Sequence, residues 1–353
     1  MDANDIDVFL QPALFAWLTA RRADIDPHQP IYSALPVAQR PLRFRVVADA
    51  RGRAHLPGYG YLSGFDPLAS AAVECAGDNM PFTSGGAHLH FRPAWYMHDG
   101  RIEATHDTDT FVRPFFAAEC ADPDRAGLVV DEGLRVAALC EQAIARMARR
   151  LPQMLDLLLL ANRRIHFYRS DAPNSFATLS VHGTAFLNVS PNPTEIFFLD
   201  DFAHQGGHVV FNAATLDHGR YLRRDAATPL REIGADDADT RTLYAGFHGL
   251  FTYSMIVTVL SRCLNDGDFD AAARHEIRGR IAFYLLKFRT DLKNLARPGL
   301  LAPEGEYLYQ GFRDCYERVL HACYEAVCGL DLSNQEYVFD YARFAKLNAN
   351  RLH

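Results

Sequence analysis

"FATLSVHGTAFLNVSPNPTEIFFLDDFAHQGGHVVFNAATL", residues 176–216, changes character partway along. Its first part, Phe176–Ser190, is rich in β-branched and aromatic residues and is bounded by Pro and Asn, which reads as strand. The segment "SPNPTE" then supplies capping residues, so a helix is expected from about Thr194. Just upstream, "RIHFYRS" (164–170) also reads as strand, and 132–160 carries helical periodicity that Pro152 divides into two helices. Downstream, "LDHGRYLRRDAATPLREIGADDADT" (216–240) is polar and punctuated, hence loop. Helices are then expected over roughly 240–265, 268–295, 306–329 and 333–349. Toward the N-terminus, "LRFRVVADA" (42–50) and "AHLHFRPAWYM" (87–97) read as short strands between turns. The expected class is α+β. A β-containing region, 1–130, able to form a substrate-binding part, precedes a mainly helical metal-binding catalytic domain, 131–353.

A chain of 353 residues suits one elaborated domain or two closely packed ones. Its formal charge of −7 gives it no pull toward nucleic acid or an anionic membrane. The seven cysteines are odd in number and form no CxxC pair, so buried free thiols in a reducing compartment are expected. The opening "MDANDIDVFLQPALFAWLTARR" is acidic before its apolar part and lacks a cleavage signature. It reads as a docking helix rather than a signal peptide. The apolar run "MLDLLLLA" is too short to cross a bilayer. A cytoplasmic location is expected.

His204 and His208 stand four residues apart in the expected helix, one above the other on one face, where two imidazoles can share a metal ion. The plainer reading is a coincidence among 15 histidines. Three features favour a site. The flanking "IFFL" and "VVF" are apolar, and imidazoles there want a partner. Gly206 and Gly207 each cost the helix about 1 kcal/mol against Ala, which suggests that something approaches the backbone closely. Asp200 and Asn212 lie four residues to either side, placed to support the pair. In a zinc protease the residue after the first histidine is a glutamate that deprotonates metal-bound water. Here it is Gln205, whose amide takes no proton at neutral pH, so hydrolysis by that route is disfavoured. A redox metal needs no such base.

A third protein ligand is expected of a catalytic ion. "RTLYAGFHGLFTYSMIVTVLSRCL" (241–264) offers His248 in an otherwise apolar helix. Alone it would read as a core histidine; beside the 204/208 pair it reads as a ligand. With these pieces the chain resembles the HExxH-type, 2-oxoglutarate-dependent peptide β-hydroxylases that tailor ribosomally made peptides. The resemblance rests on "FATLSVHGTAFLNVS", on "FAHQGGHVVFNAATL" and on "RTLYAGFHGLFTYS", and spans roughly 165–300. It implies Fe(2+) held by His204, His208 and His248, 2-oxoglutarate and O2 at the remaining positions, and hydroxylation of an unactivated carbon. The substrate it implies is a peptide or an amino-acid derivative. Gln205 departs from the family's glutamate; it is expected to serve catalysis by orienting a ligand or a water through hydrogen bonds.

2-Oxoglutarate also needs a cation for its distal carboxylate, and Arg289, in the apolar "FYLLKFRTDLK", is the first candidate. Arg280 and Lys287 compete with it, and Arg241 lies at a helix start. His88 and His90 share a strand face at i and i+2, but no downstream acid or histidine completes a metal set with them. They read as a polar face near a substrate mouth, with Phe91, Trp95 and Tyr96 able to line a cleft. The chain has no Gly-rich phosphate loop and no nucleophile elbow. Two other functions stay open: a zinc hydrolase with Asp200 or Asp201 as base, and a non-catalytic peptide-binding protein.

Overall fold

Among the residues that the computed structural model describes, 10–20, 26–75, 81–107, 111–117 and 126–351, every strand ends before residue 189. The class is α+β, with sheets in the N-terminal part and a helical C-terminal part.

The chain forms two compact units: Met1–Glu141 with Leu159–Pro193, and Gln142–Leu158 with Thr194–His353. The first holds helices α1 (Pro12–Ala20), α2 (His28–Ala34) and α3 (Arg113–Ala117). Its strands run β1 (Arg43–Val47), β2 (Arg53–Leu56), β3 (Gly60–Ser63), β4 (Ser70–Cys75), β5 (Phe82–Ser84), β6 (Ala87–His88), β7 (His90–Pro93), β8 (Trp95–Met97) and β9 (Ile102–Thr105). After α4 (Val130–Arg150) and α5 (Pro152–Ala161) come β10 (Arg164–Tyr168), β11 (Phe176–Ala177) and β12 (Thr184–Asn188). They make three sheets, ordered β1-β4-β5-β6, β2-β3-β7 and β11-β12-β10-β9-β8. Pro152 starts α5, as its missing N–H requires.

The expected division at 130 is displaced. Residues 164–188 join the N-terminal unit because β10 pairs in parallel with β9, Arg164 opposite Glu103. Glu103 sits at one end of that seam. Burial alone would raise its carboxyl, but Arg164 and His55 hold it at about 2. The expected strand over 87–97 is three short ones in three sheets. His88 and His90 thus fall in different sheets, and both are exposed. In α1, Ala13, Leu14 and Ala16 are buried, as a docking helix needs; residues 1–9 and Cys120 lie outside the described residues.

The second unit is built from α6 (Glu195–Ala214), α7 (Leu243–Leu264), α8 (Ala271–Leu295), α9 (Pro303–Val327) and α10 (Tyr341–Leu347). Side chains cap four of them: Thr194 accepts from Phe197 N–H, Thr242 from Ala245 N–H, Asp270 from Ala273 N–H and Asp340 from Arg343 N–H. Each such cap is worth about 1 kcal/mol. α7 packs on α6 and α8, and α9 packs on α7 and α8. α7 has the length and hydropathy of a membrane-crossing helix, yet 67% of its apolar window is buried within the protein, as a core helix would be. Arg146 bonds Glu195 at 2.7 Å and Asp266 at 2.8 Å, tying 142–158 to this bundle.

The last expected helix is shortened: 333–340 is irregular. Polar side chains there bond backbone instead, Asp331 accepting from Ser333 N–H and Gln335 accepting from Asp340 N–H. Of the described cysteines, Cys140, Cys263, Cys315 and Cys323 are buried and outside any disulfide, Cys75 is partly buried and Cys328 is exposed.

Candidate metal centre

α6 and α8 run in the same direction in step. Thr194 Oγ1 lies 3.1 Å from a Glu276 carboxylate oxygen, and Arg280 donates to Asp200 at 2.6 Å. One turn on, the His204 ring faces the Tyr284 ring edge-on at 6.2 Å. On α6 itself the His204 and His208 rings are neighbours, tilted at 36° with centres 4.9 Å apart, as the spacing predicts. α7 brings His248 against His208, ring centres 4.0 Å apart and planes at 73°. His208 Nδ1 lies 2.6 Å from His248 Nε2 and 3.2 Å from its Nδ1.

The three candidate ligands are therefore neighbours in one helical body. Ligands at adjacent positions about 2.1 Å from a shared ion stand about 3 Å apart, and the nitrogens of His208 and His248 already approach at that range. As placed, they meet each other edge to face rather than surrounding a point. Among the described residues no group of three or more His, Cys, Asp and Glu side chains encloses an ion position. Ring rotation about χ2 is the movement that ligation would require.

Burial strips all three imidazoles of charge. It pushes His204 down to about 3, helped by Lys287 and His248, and His248 down to about 4. His208 is driven well below its usual value, first by burial and then by its two neighbours. All three are neutral at pH 7 and keep a lone pair for a metal. Because their folded values lie below 6.5, the unfolded chain binds more protons. Their contribution to stability is full above pH 6.5 and is lost as pH falls toward 4. The denaturation midpoint of the metal-free protein should fall over that window, and less steeply in His208→Phe. Equal slopes would contradict the burial of a neutral ring.

His248 is held between two aromatic rings, Phe211 at 5.4 Å and Tyr244 at 5.3 Å, both nearly parallel to it. The Tyr244 hydroxyl reaches Thr215 Oγ1 at 2.8 Å and donates to Asn212 Oδ1 at 3.3 Å. Asn212 therefore reaches the cluster through Tyr244, and not by a bond to His204 or His208. Asp200 pairs with Arg280 and shares a hydrogen bond with the hydroxyl of Tyr284, whose ring faces His204, so it too reaches the cluster only at one remove. The sequence reading missed Tyr244, although its place one turn before His248 on the same face was a usable signal.

Gln205 is 2% exposed, and its amide oxygen has no hydrogen-bond partner among the described residues. No hydrogen bond joins it to the imidazoles. Arg289 is exposed and acts on Tyr316 of α9; among the described residues no hydrogen bond or ion pair joins it to the three histidines. At Gly207 an added methyl would meet Met255, Thr252 and Phe251 at 3.6–3.7 Å, ordinary contact distance. α7 does approach there, but not closely enough to demand glycine. Gly207→Ala should therefore keep the fold and raise unfolding stability by up to about 1 kcal/mol through helix propensity. A loss in a urea titration would show a closer approach.

No protein-family model matches this chain, and no curated protein matches it either.

Proposed function

We propose that this protein is a non-haem iron(II), 2-oxoglutarate-dependent oxygenase that hydroxylates a peptide or amino-acid-derived substrate. The observation that carries the reading is the meeting of three neutral imidazoles from α6 and α7, with nitrogens of His208 and His248 at ligand-pair separation. Nitrogen donors of this number, leaving open positions, suit iron or zinc. Bound iron would supply reduction of O2, with one oxygen atom passing to the substrate C–H and the other to succinate as CO2 leaves 2-oxoglutarate.

The chain's own residues hold and orient. His204 and His208 present adjacent nitrogens from successive turns. Phe211 and Tyr244 pack nearly parallel to the His248 ring and keep it beside His208. Gln205 offers a buried carbonyl acceptor able to orient a ligand or water. The zinc-hydrolase alternative needs a base, and Asp200 is a poor one because Arg280 already occupies it.

The test is anaerobic purification, metal analysis, and addition of 2-oxoglutarate followed by air and candidate peptides. Iron, a weak visible absorption band with 2-oxoglutarate, and gain of one oxygen atom by mass spectrometry are expected. Zinc with no response to 2-oxoglutarate would point to hydrolysis. A metal-free protein of full thermal stability would point to peptide binding alone.

A further inference from the structure

On the oxygenase reading just given, we infer that Lys287 is the residue that binds the distal carboxylate of the 2-oxo acid. The parallel register of α6 and α8 carries this. Thr194 meets Glu276, Asp200 meets Arg280 and His204 meets Tyr284. The next turn of α8 after Tyr284, at Lys287 and Phe288, therefore comes level with His208. α7 agrees, since the Tyr253 ring sits 6.0 Å from Tyr284 and 6.1 Å from Phe288. The charge of Lys287 acts on His204 directly, as the second-largest cause of that ring's lowered proton affinity.

The competing cations are occupied or elsewhere. Arg280 is shared between Asp200 and Glu276, and Arg241 is forked onto Asp239 and Asp291. Arg289 is exposed. Among the described residues Lys287 pairs with no carboxylate: it donates to the Tyr337 carbonyl at 2.6 Å and lies over the Phe283 and Tyr337 rings. An ammonium has three N–H donors, so two remain for a ligand. Burial and Arg241 push Lys287 down to about 8, leaving it mostly protonated at pH 7. Asp291 and Asp200 act on Lys287 from beyond ion-pair distance, so its ammonium stays available, and a partly buried cation strengthens the binding of an anion.

The test is calorimetric titration of metal-loaded, oxygen-free protein with 2-oxoglutarate and with pyruvate, which keeps the 2-oxo acid but lacks the distal carboxylate. Lys287→Met should weaken 2-oxoglutarate binding by about 10- to 100-fold, the worth of one charged hydrogen bond. Its affinity for pyruvate and its metal content should match wild type. Lys287→Arg should restore most of the loss, and does so only if the fold tolerates both variants, which their melting curves report. Wild-type affinity in Lys287→Met overturns this inference and leaves the oxygenase reading standing. Failure of metal-loaded wild type to bind 2-oxoglutarate overturns both. Loss of pyruvate and 2-oxoglutarate binding alike in Lys287→Met also overturns it, because the defect would then not be the distal carboxylate.

Discussion

His208→Ala protein, reconstituted with Fe(II) without oxygen and passed through a desalting column, should emerge free of iron, while wild type keeps about one ion per chain. His208 is the central ring of the three, in contact with His204 on its own helix and with His248 on α7. Without it the two remaining rings have no shared neighbour, and two separated imidazoles do not retain a labile divalent ion. His204→Ala and His248→Ala should also lose the ion. Tyr244→Ala should keep it with affinity lowered by about 10–100-fold, the usual effect of removing a group that orients a ligand. Unchanged retention in His248→Ala would remove the third ligand from the proposal. Unchanged retention in all three would place any bound metal elsewhere.

What the sequence could disclose of this centre follows from how local each feature is. The i, i+4 pair is a property of one helix, so His204 and His208 were legible as soon as Thr194 marked the helix start. His248 was legible only by its isolation in an apolar helix. The cation was not legible. α8 carries "IAFYLL", six apolar residues in a row, so its inward stripe cannot be separated from its outer face by pattern alone. Arg280, Lys287 and Arg289 then look alike in the sequence; only the folded chain separates them by burial, with Leu285, Phe288 and Leu292 inside and Arg289 exposed. The unit boundary was hidden for a related reason. A parallel pairing such as β9 with β10 joins segments about sixty residues apart, with α3, α4 and α5 between them. No short-range signal announces it. The irregular 333–340 was misread because "EYVFDY" has helical spacing, while Gln335 and Asp340 bond backbone in a turn.

Replacing Arg280 by Met should cost about 3–5 kcal/mol of unfolding free energy, the range for stripping one partner from a buried ion pair. Arg280 is 7% exposed and donates to Asp200 and to Glu276, which are each 2% exposed. Methionine fills much of the volume but leaves two carboxylates facing apolar surroundings. The cost should also depend on pH, with a definite sign. Burial already pushes the Asp200 carboxyl above its usual range, against the pull of Arg280. Without that pull it rises further and the carboxyl takes up a proton when it can. A group whose folded value is raised stabilises fully below its unfolded value and loses that contribution as pH rises through the folded one. The deficit of Arg280→Met relative to wild type should therefore be smaller at pH 5 than at pH 8 in urea titrations. Adding Asp200→Asn should recover part of the loss at pH 8 and little at pH 5, because the amide removes the charge that the proton otherwise cancels. A deficit under about 1 kcal/mol, or one that shrinks as pH rises, would mean that the pair is not the buried clamp its exposure implies. The clamp has a second consequence for the centre. It sets α6 against α8 one turn before His204 meets Tyr284, so slippage there moves Lys287 off the level of His208. Arg280→Met should accordingly weaken 2-oxoglutarate binding while the His204–His208 pair, fixed within α6 alone, keeps its spacing.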